Sequence, residues 1–163
     1  MNFIIRRYFS SNVIKIKNNY NNETKEIKIG EISSLKRTFT ADDVKIFAKL
    51  TGDNNPIHLD PDYASKTRFK RNIVHGALAA SLFSTIIADQ LTGHGSIYIS
   101  QVNNFQKPIY VGDPIRAEIK VLGITGKKIQ LETTIYNIDT QNAGQETIAI
   151  QGPAVVYHPD IIS

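Results

Sequence analysis

Hydrophobic spacing changes along this chain, and the changes mark where strands give way to helices and back. Ile27-Lys28-Ile29 alternates and opens the folded part, and Leu35 and Phe39 suit a short strand over 33–39. Thr40-Ala41-Asp42-Asp43 then has the form of a capping box, with Asp in the place of Glu. Val44, Phe47 and Ala48 follow at helical spacing, and Gly52 stands where a left-handed cap would end the helix. Asp60-Pro61 repeats the start signal and predicts a short helix over 62–66. The run 77–91 carries no charge before Asp89 and is small or apolar on nearly every side. Such a helix is expected to be buried all round, with its small residues letting a sheet backbone approach.

After residue 95 the period becomes two. Residues 97–105 alternate loosely, and Ile115, Ala117, Ile119 and Val121 alternate with Arg116, Glu118 and Lys120. Gly126 marks a hairpin, a further strand passes through Ile129, Leu131, Thr133 and Ile135, and a last one covers 145–157 with an irregularity expected at Gly152-Pro153. The pattern is α+β: one buried helix followed by about four antiparallel strands. A sheet curled round that helix buries both.

Composition narrows the classes. The 163 residues suit one domain with a real core, and there is no internal repeat. With no cysteine, disulfides, CxxC redox chemistry and cysteine-held zinc are excluded. The formal charge is +4, but residues 1–22 hold Arg6, Arg7, Lys15 and Lys17 and no acid. Removing those four from the 19 basic groups leaves 15 against 15 acidic ones, so the body is neutral and carries no nucleic-acid footprint. The leader is arginine- and serine-bearing and acid-free, and Arg7-Tyr8-Phe9-Ser10-Ser11 resembles mitochondrial presequences near their processing sites. We therefore expect 1–22 to be a presequence and flexible junction (the asparagine-rich 18–22), 23–163 to be the domain, and the address to be the mitochondrial matrix. No stretch reaches the ~18 apolar residues of a transmembrane helix.

Chemistry concentrates in Leu50-Thr-Gly-Asp-Asn-Asn-Pro-Ile-His-Leu-Asp60. Asp53 and His58 stand five apart, which on a helix would separate them by about 140°. A turn at Asn54-Asn55-Pro56 can instead bring them to one point, where a carboxylate and an imidazole hold a water and move two protons. The bland alternative is a polar turn in which nothing reacts. Downstream, Gly76 opens the apolar helix, and helix N-termini offer unpaired N–H groups to a developing oxyanion. Lys66, Arg68, Lys70 and Arg71 form an acid-free basic run that can dock carrier phosphates or stand as a solvated loop. His75 is expected to be structural, holding the loop into the helix, and His94 and His158 to be exposed. A His58/His75 metal site lacks neighbouring ligands, there is no nucleotide-binding glycine loop and no GxSxG element, and no cofactor is expected.

Phe39-Thr40, Phe47-Ala48, Thr51-Gly-Asp-Asn-Asn-Pro-Ile-His58, Phe69-Lys-Arg-Asn-Ile-Val-His-Gly76 and Phe105-Gln-Lys-Pro-Ile-Tyr-Val-Gly-Asp113 together resemble the MaoC-like, R-specific enoyl-thioester hydratases over roughly 33–157. The resemblance implies a single hot dog fold with the helix near Gly76 as its sausage. It implies reversible syn addition of water to trans-2-enoyl thioesters, giving (3R)-hydroxyacyl thioesters. Carried over by position, Asp53 and His58 are the catalytic pair, Asn55 supports it, and the Gly76 N–H is the oxyanion donor. The expected partners are an acyl thioester on acyl carrier protein or coenzyme A and a second copy of the chain, with the reaction placed in mitochondrial fatty acid synthesis. The rivals are a coenzyme A hydratase of oxidation or polyester supply, a hot dog thioesterase, and a non-catalytic acyl-binding module.

Overall fold

The computed structural model describes residues 12–17 and 23–162. The leader at 1–11 and the junction at 18–22 lie outside the described residues. Three short strands come first, β1 (Val13–Lys17), β2 (Thr24–Lys28) and β3 (Ile32–Thr38). Helices follow as α1 (Ala41–Thr51), α2 (Pro56–Leu59), α3 (Pro61–Ser65), α4 (Gly76–Ala80) and α5 (Leu82–Thr85), continued by a π-helical turn (Ile86–Leu91). The rest is strand: β4 (Ile97–Gln101), β5 (Asn104–Phe105), β6 (Pro114–Thr125), β7 (Lys128–Asp139), β8 (Gln145–Tyr157) and β9 (Ile161–Ile162).

Alternation decides the layers. Ile115, Ala117, Ile119 and Val121 of β6, Ile129, Leu131 and Ile135 of β7, and Ala154 and Val156 of β8 are all buried on one face of the sheet. They meet Phe83, Ile86, Ile87 and Leu91 from the helical stretch in one core. The strands run antiparallel in the order β3-β6-β7-β8-β4, with β5 on β8. Thr125 pairs with Lys128 across a two-residue turn, which Gly126 makes possible at φ +57°. This is the α+β hot dog arrangement.

Local signals worked as expected at α1. Thr40 accepts from the Asp43 N–H while the Asp43 carboxylate accepts from the Thr40 N–H, and Gly52 ends the helix at φ +80°. Elsewhere the structure corrects the reading. The fold begins before residue 23: Ile14 and Ile16 are buried, and β1 pairs with both β2 and β9 in a second, three-stranded sheet. The helical run is not buried all round, because the sheet covers one side only; Ala77, Ser81, Ser84 and Thr85 are exposed. The strand over 97–105 is interrupted at Val102, whose N–H turns to Pro153 O. Gly152-Pro153 is in register with Thr133 and Glu132, and the bulge lies instead beyond Ile135/Ile150. Gly152 is needed for space, since a Cβ there would stand 2.1 Å from Val102 O. His158 is fully buried rather than exposed: its Nε2 donates to His94 O at 3.0 Å and its Nδ1 accepts from the Asp160 N–H at 3.2 Å. His94 is exposed.

Candidate active site

The helix stop at Gly52 throws the chain into a tight turn. Asn54 N–H donates to Gly52 O, and Asn55 N–H donates to Asp53 Oδ1 at 3.2 Å. Asn55 then caps α2 by accepting the Ile57 N–H on Oδ1, with Pro56 in the first helical turn. So Asn55 steadies the Asp53 carboxylate with its main chain and spends its side chain on the cap. Buried Ile57 anchors this single-turn helix, which carries His58.

The segment 72–76 closes on the turn from the other side. Asn72 Nδ2 donates to Ile57 O at 3.0 Å, and Val74 N–H donates to Ile109 O at 2.8 Å. His58 Nδ1 lies 2.8 Å from Ile73 O. A carbonyl oxygen only accepts, so Nδ1 carries the hydrogen and Nε2 keeps its lone pair. Burial pushes the half-buried His58 imidazolium below the usual histidine value, and the field of His75 adds to this; the bond to Ile73 O and the charge of Asp53 oppose it. The His75 ring stacks on His58 with centroids 3.8 Å apart and planes 28° apart.

One ligand-type atom each from Asp53, His58 and His75 falls within a 4.8 Å cluster, close enough for a single water to touch both Asp53 and His58. The trio suits a metal poorly, because stacked rings send their in-plane lone pairs side by side instead of converging on an ion.

His58 and Gly76 also share a cavity of about 350 Å³, walled by Phe69, Val74, Phe105, Ile109 and Ile150. Gly76 is the first residue of α4, whose N–H has no acceptor within the helix. The Phe105 ring lies directly over it: a Cβ on Gly76 would stand 2.4 Å from Phe105 Cε1. Asp53 contributes no wall atom to this cavity. Its half-exposed carboxylate lies beside the two imidazoles. The turn thus joins the carboxylate to the imidazole, and of the pair only His58 faces the space that Gly76 opens on.

The basic run divides. Arg68 reaches the cavity wall, where Lys107 joins it. Arg71 is tied to Asp113 at 2.7 Å and lies over the Tyr110 ring, so its charge is already matched. Lys66 and Lys70 are exposed and away from the cavity wall. Two features escaped the sequence reading. The Ile73 carbonyl, which selects the His58 tautomer, has no side-chain signature. Phe105 and Lys107, in contrast, stand inside the Phe105–Asp113 motif and could have been found from it.

The MaoC like domain matches residues 24–143 of the chain. An (R)-specific enoyl-CoA hydratase from Aeromonas caviae is 42% identical over 133 residues, which is 82% of this chain and 96% of that protein. A mitochondrial 3-hydroxyacyl-[acyl-carrier-protein] dehydratase from Solanum lycopersicum is 39% identical over 159 residues, covering 98% of this chain and 93% of that protein. Among solved structures, the (R)-hydratase from A. caviae involved in PHA biosynthesis superposes with a TM-score of 0.75 at 41% identity, covering 82% of this chain and 98% of that one.

Proposed function

The chain belongs to the MaoC-like family and is a hydro-lyase of hydroxyacyl thioesters, and on that premise we propose that it interconverts (3R)-hydroxyacyl and trans-2-enoyl thioesters at Asp53, His58 and Gly76. The observation that carries this is the tautomer of His58: Nδ1–H is held by Ile73 O, which leaves Nε2 unprotonated and free to act as a base in the cavity that Gly76 shares. In hydration a water lies between the Asp53 carboxylate and Nε2. Its oxygen bonds to C3 and its proton goes to Nε2. The electron pair of the double bond moves to C2 and the thioester oxygen, whose growing charge the Gly76 N–H stabilises. Nε2 then returns the proton to C2. Water leaves by the same steps reversed. One base on one face gives syn addition, and the (3R) hand is proposed from the similarity to the (R)-specific enoyl-CoA hydratase of A. caviae.

The carrier is proposed to be acyl carrier protein in mitochondrial fatty acid synthesis. Support comes from the near full-length match to the tomato mitochondrial dehydratase and from Arg68 and Lys107 at the cavity wall. The second reading is an (R)-specific enoyl-CoA hydratase, which the 42% identity to the A. caviae protein favours. Turnover of crotonyl groups on both carriers decides between them. The first reading expects a higher kcat/KM on carrier protein and a loss there, larger than on coenzyme A, in a combined Arg68→Glu, Lys107→Glu variant. Equal or better turnover on coenzyme A would select the second.

Two further parts of this reading are testable. The edge strand β4 leaves Ile97, Tyr98 and Ile99 exposed beside the open face of the helix, which supports a homodimer joined along that edge. Sedimentation should give a dimer for the wild type and shift toward monomer for Ile99→Lys; a monomeric wild type would refute it. Because β1 is part of the fold, a matrix-targeting signal must lie before Val13. Residues 1–12 fused to a fluorescent reporter should carry it into mitochondria, and cytosolic reporter would count against the address.

A further inference from the structure

His75 fills a closed slot between two aromatic rings. Its side chain is 2% exposed, with the His58 ring stacked on it at 3.8 Å and the Phe47 ring tilted against it at 5.0 Å. Nε2 lies 3.1 Å from the main-chain oxygen of Asp53 and 3.9 Å from its Oδ2. Since a carbonyl oxygen only accepts, Nε2 carries the hydrogen. The other nitrogen, Nδ1, is buried and has no hydrogen-bond partner among the described residues. An unpaired buried nitrogen is destabilising, and a phenyl ring would avoid it. What the imidazole adds is a hydrogen aimed at Asp53.

We propose that His75 is a positioning residue for the hydration step, holding Asp53 through Nε2–H and the His58 ring plane through the stack. This rests on the reading of Asp53 and His58 as the reacting pair. Through one side chain the two groups keep the separation that a shared water needs. His75 also directly precedes Gly76, so the anchored ring helps fix where the helix begins. Such placement matters because a displacement of about 1 Å at a reacting centre can lower the rate about 10²-fold.

Two variants separate placement from packing. His75→Phe keeps a ring in the slot and removes the donor, and His75→Gln restores an amide N–H near the Nε2 position. On a crotonyl thioester, His75→Phe is expected to lower kcat about 10–100-fold with KM little changed, and His75→Gln to recover most of that loss. In the wild type, nitrogen NMR of the imidazoles should find the His75 hydrogen on Nε2. Wild-type kcat in the Phe variant would overturn the proposal. So would a loss that folded His75→Gln fails to recover, or a wild-type spectrum with the hydrogen on Nδ1. The spectrum needs no variant, and a hydrogen on Nδ1 would overturn the proposal even if both substitutions unfold the protein. Asp53→Asn and His58→Gln serve as controls. Full turnover in those would refute the reacting pair itself, whereas their failure beside an unaffected His75→Phe would refute only the role of His75.

Discussion

His58→Gln is expected to lower kcat for hydration of a crotonyl thioester by about 10²–10⁴-fold, with KM nearly unchanged. The reason is specific to this ring. Glutamine can still hydrogen-bond in the same place, but it has no basic nitrogen to take the proton from water. Losing catalysis with binding intact is the signature of a group used in the transition state. The wild-type pH profile carries a matching expectation. In the proposed hydration the base form of His58 is the active one, so activity is expected to fall as the ring protonates. Burial lowers the pKa of that ring, so half of the activity should be lost at a pH below the 6.5 of an ordinary imidazole. Turnover in His58→Gln equal to the wild type would remove His58 from the reaction, whereas a midpoint above 6.5 would mean that the bond to Ile73 O and the charge of Asp53 outweigh burial at the ring.

The second large effect is expected at Gly76. An alanine there places a methyl group 2.4 Å from Phe105 Cε1 and 2.9 Å from Cδ1, well inside contact distance. Phe105 is 61% exposed, so its ring can swing aside and the fold should survive. The amide is then screened by the methyl group, and a thioester oxygen can no longer settle against it. Losing one such donor lowers the rate about 10²–10³-fold. We expect Gly76→Ala to show that loss in kcat/KM while its melting temperature stays close to that of the wild type. A large drop in melting temperature with unchanged specific activity of the folded fraction would mean that Gly76 is there for packing alone.

What could be read beforehand, and what could not, follows from how far each determinant lies along the chain. The Asp53–His58 turn was legible because a capping box, a left-handed glycine stop, an Asx cap and a first-turn proline all act within a few residues of it. The long strands β6 and β7 were legible for the same reason, since side-chain alternation is local. Burial of His158 was not, because its partner is the carbonyl of His94, brought near only when the chain end folds back. The strand at Val13–Lys17 was hidden likewise: its charges read as leader, and its register is set partly by Ile161 and Ile162 at the other end of the chain. The open face of the helix was misjudged because composition gives apolarity and says nothing of which side the sheet covers. At the site, side-chain identities marked the groups proposed to react, whereas the tautomer of His58 depends on the main-chain oxygen of Ile73, which every residue type possesses.

The proposed reaction needs one arrangement, an imidazole base and a helix-opening amide facing the same thioester. The most direct measurement is a crystal structure of the Asp53→Asn protein with (3R)-hydroxybutyryl-CoA bound. It should place the thioester oxygen about 3 Å from the Gly76 nitrogen and the 3-hydroxyl within hydrogen-bond reach of His58 Nε2. A ligand bound with its thioester away from Gly76, or with the hydroxyl out of reach of His58, would contradict it.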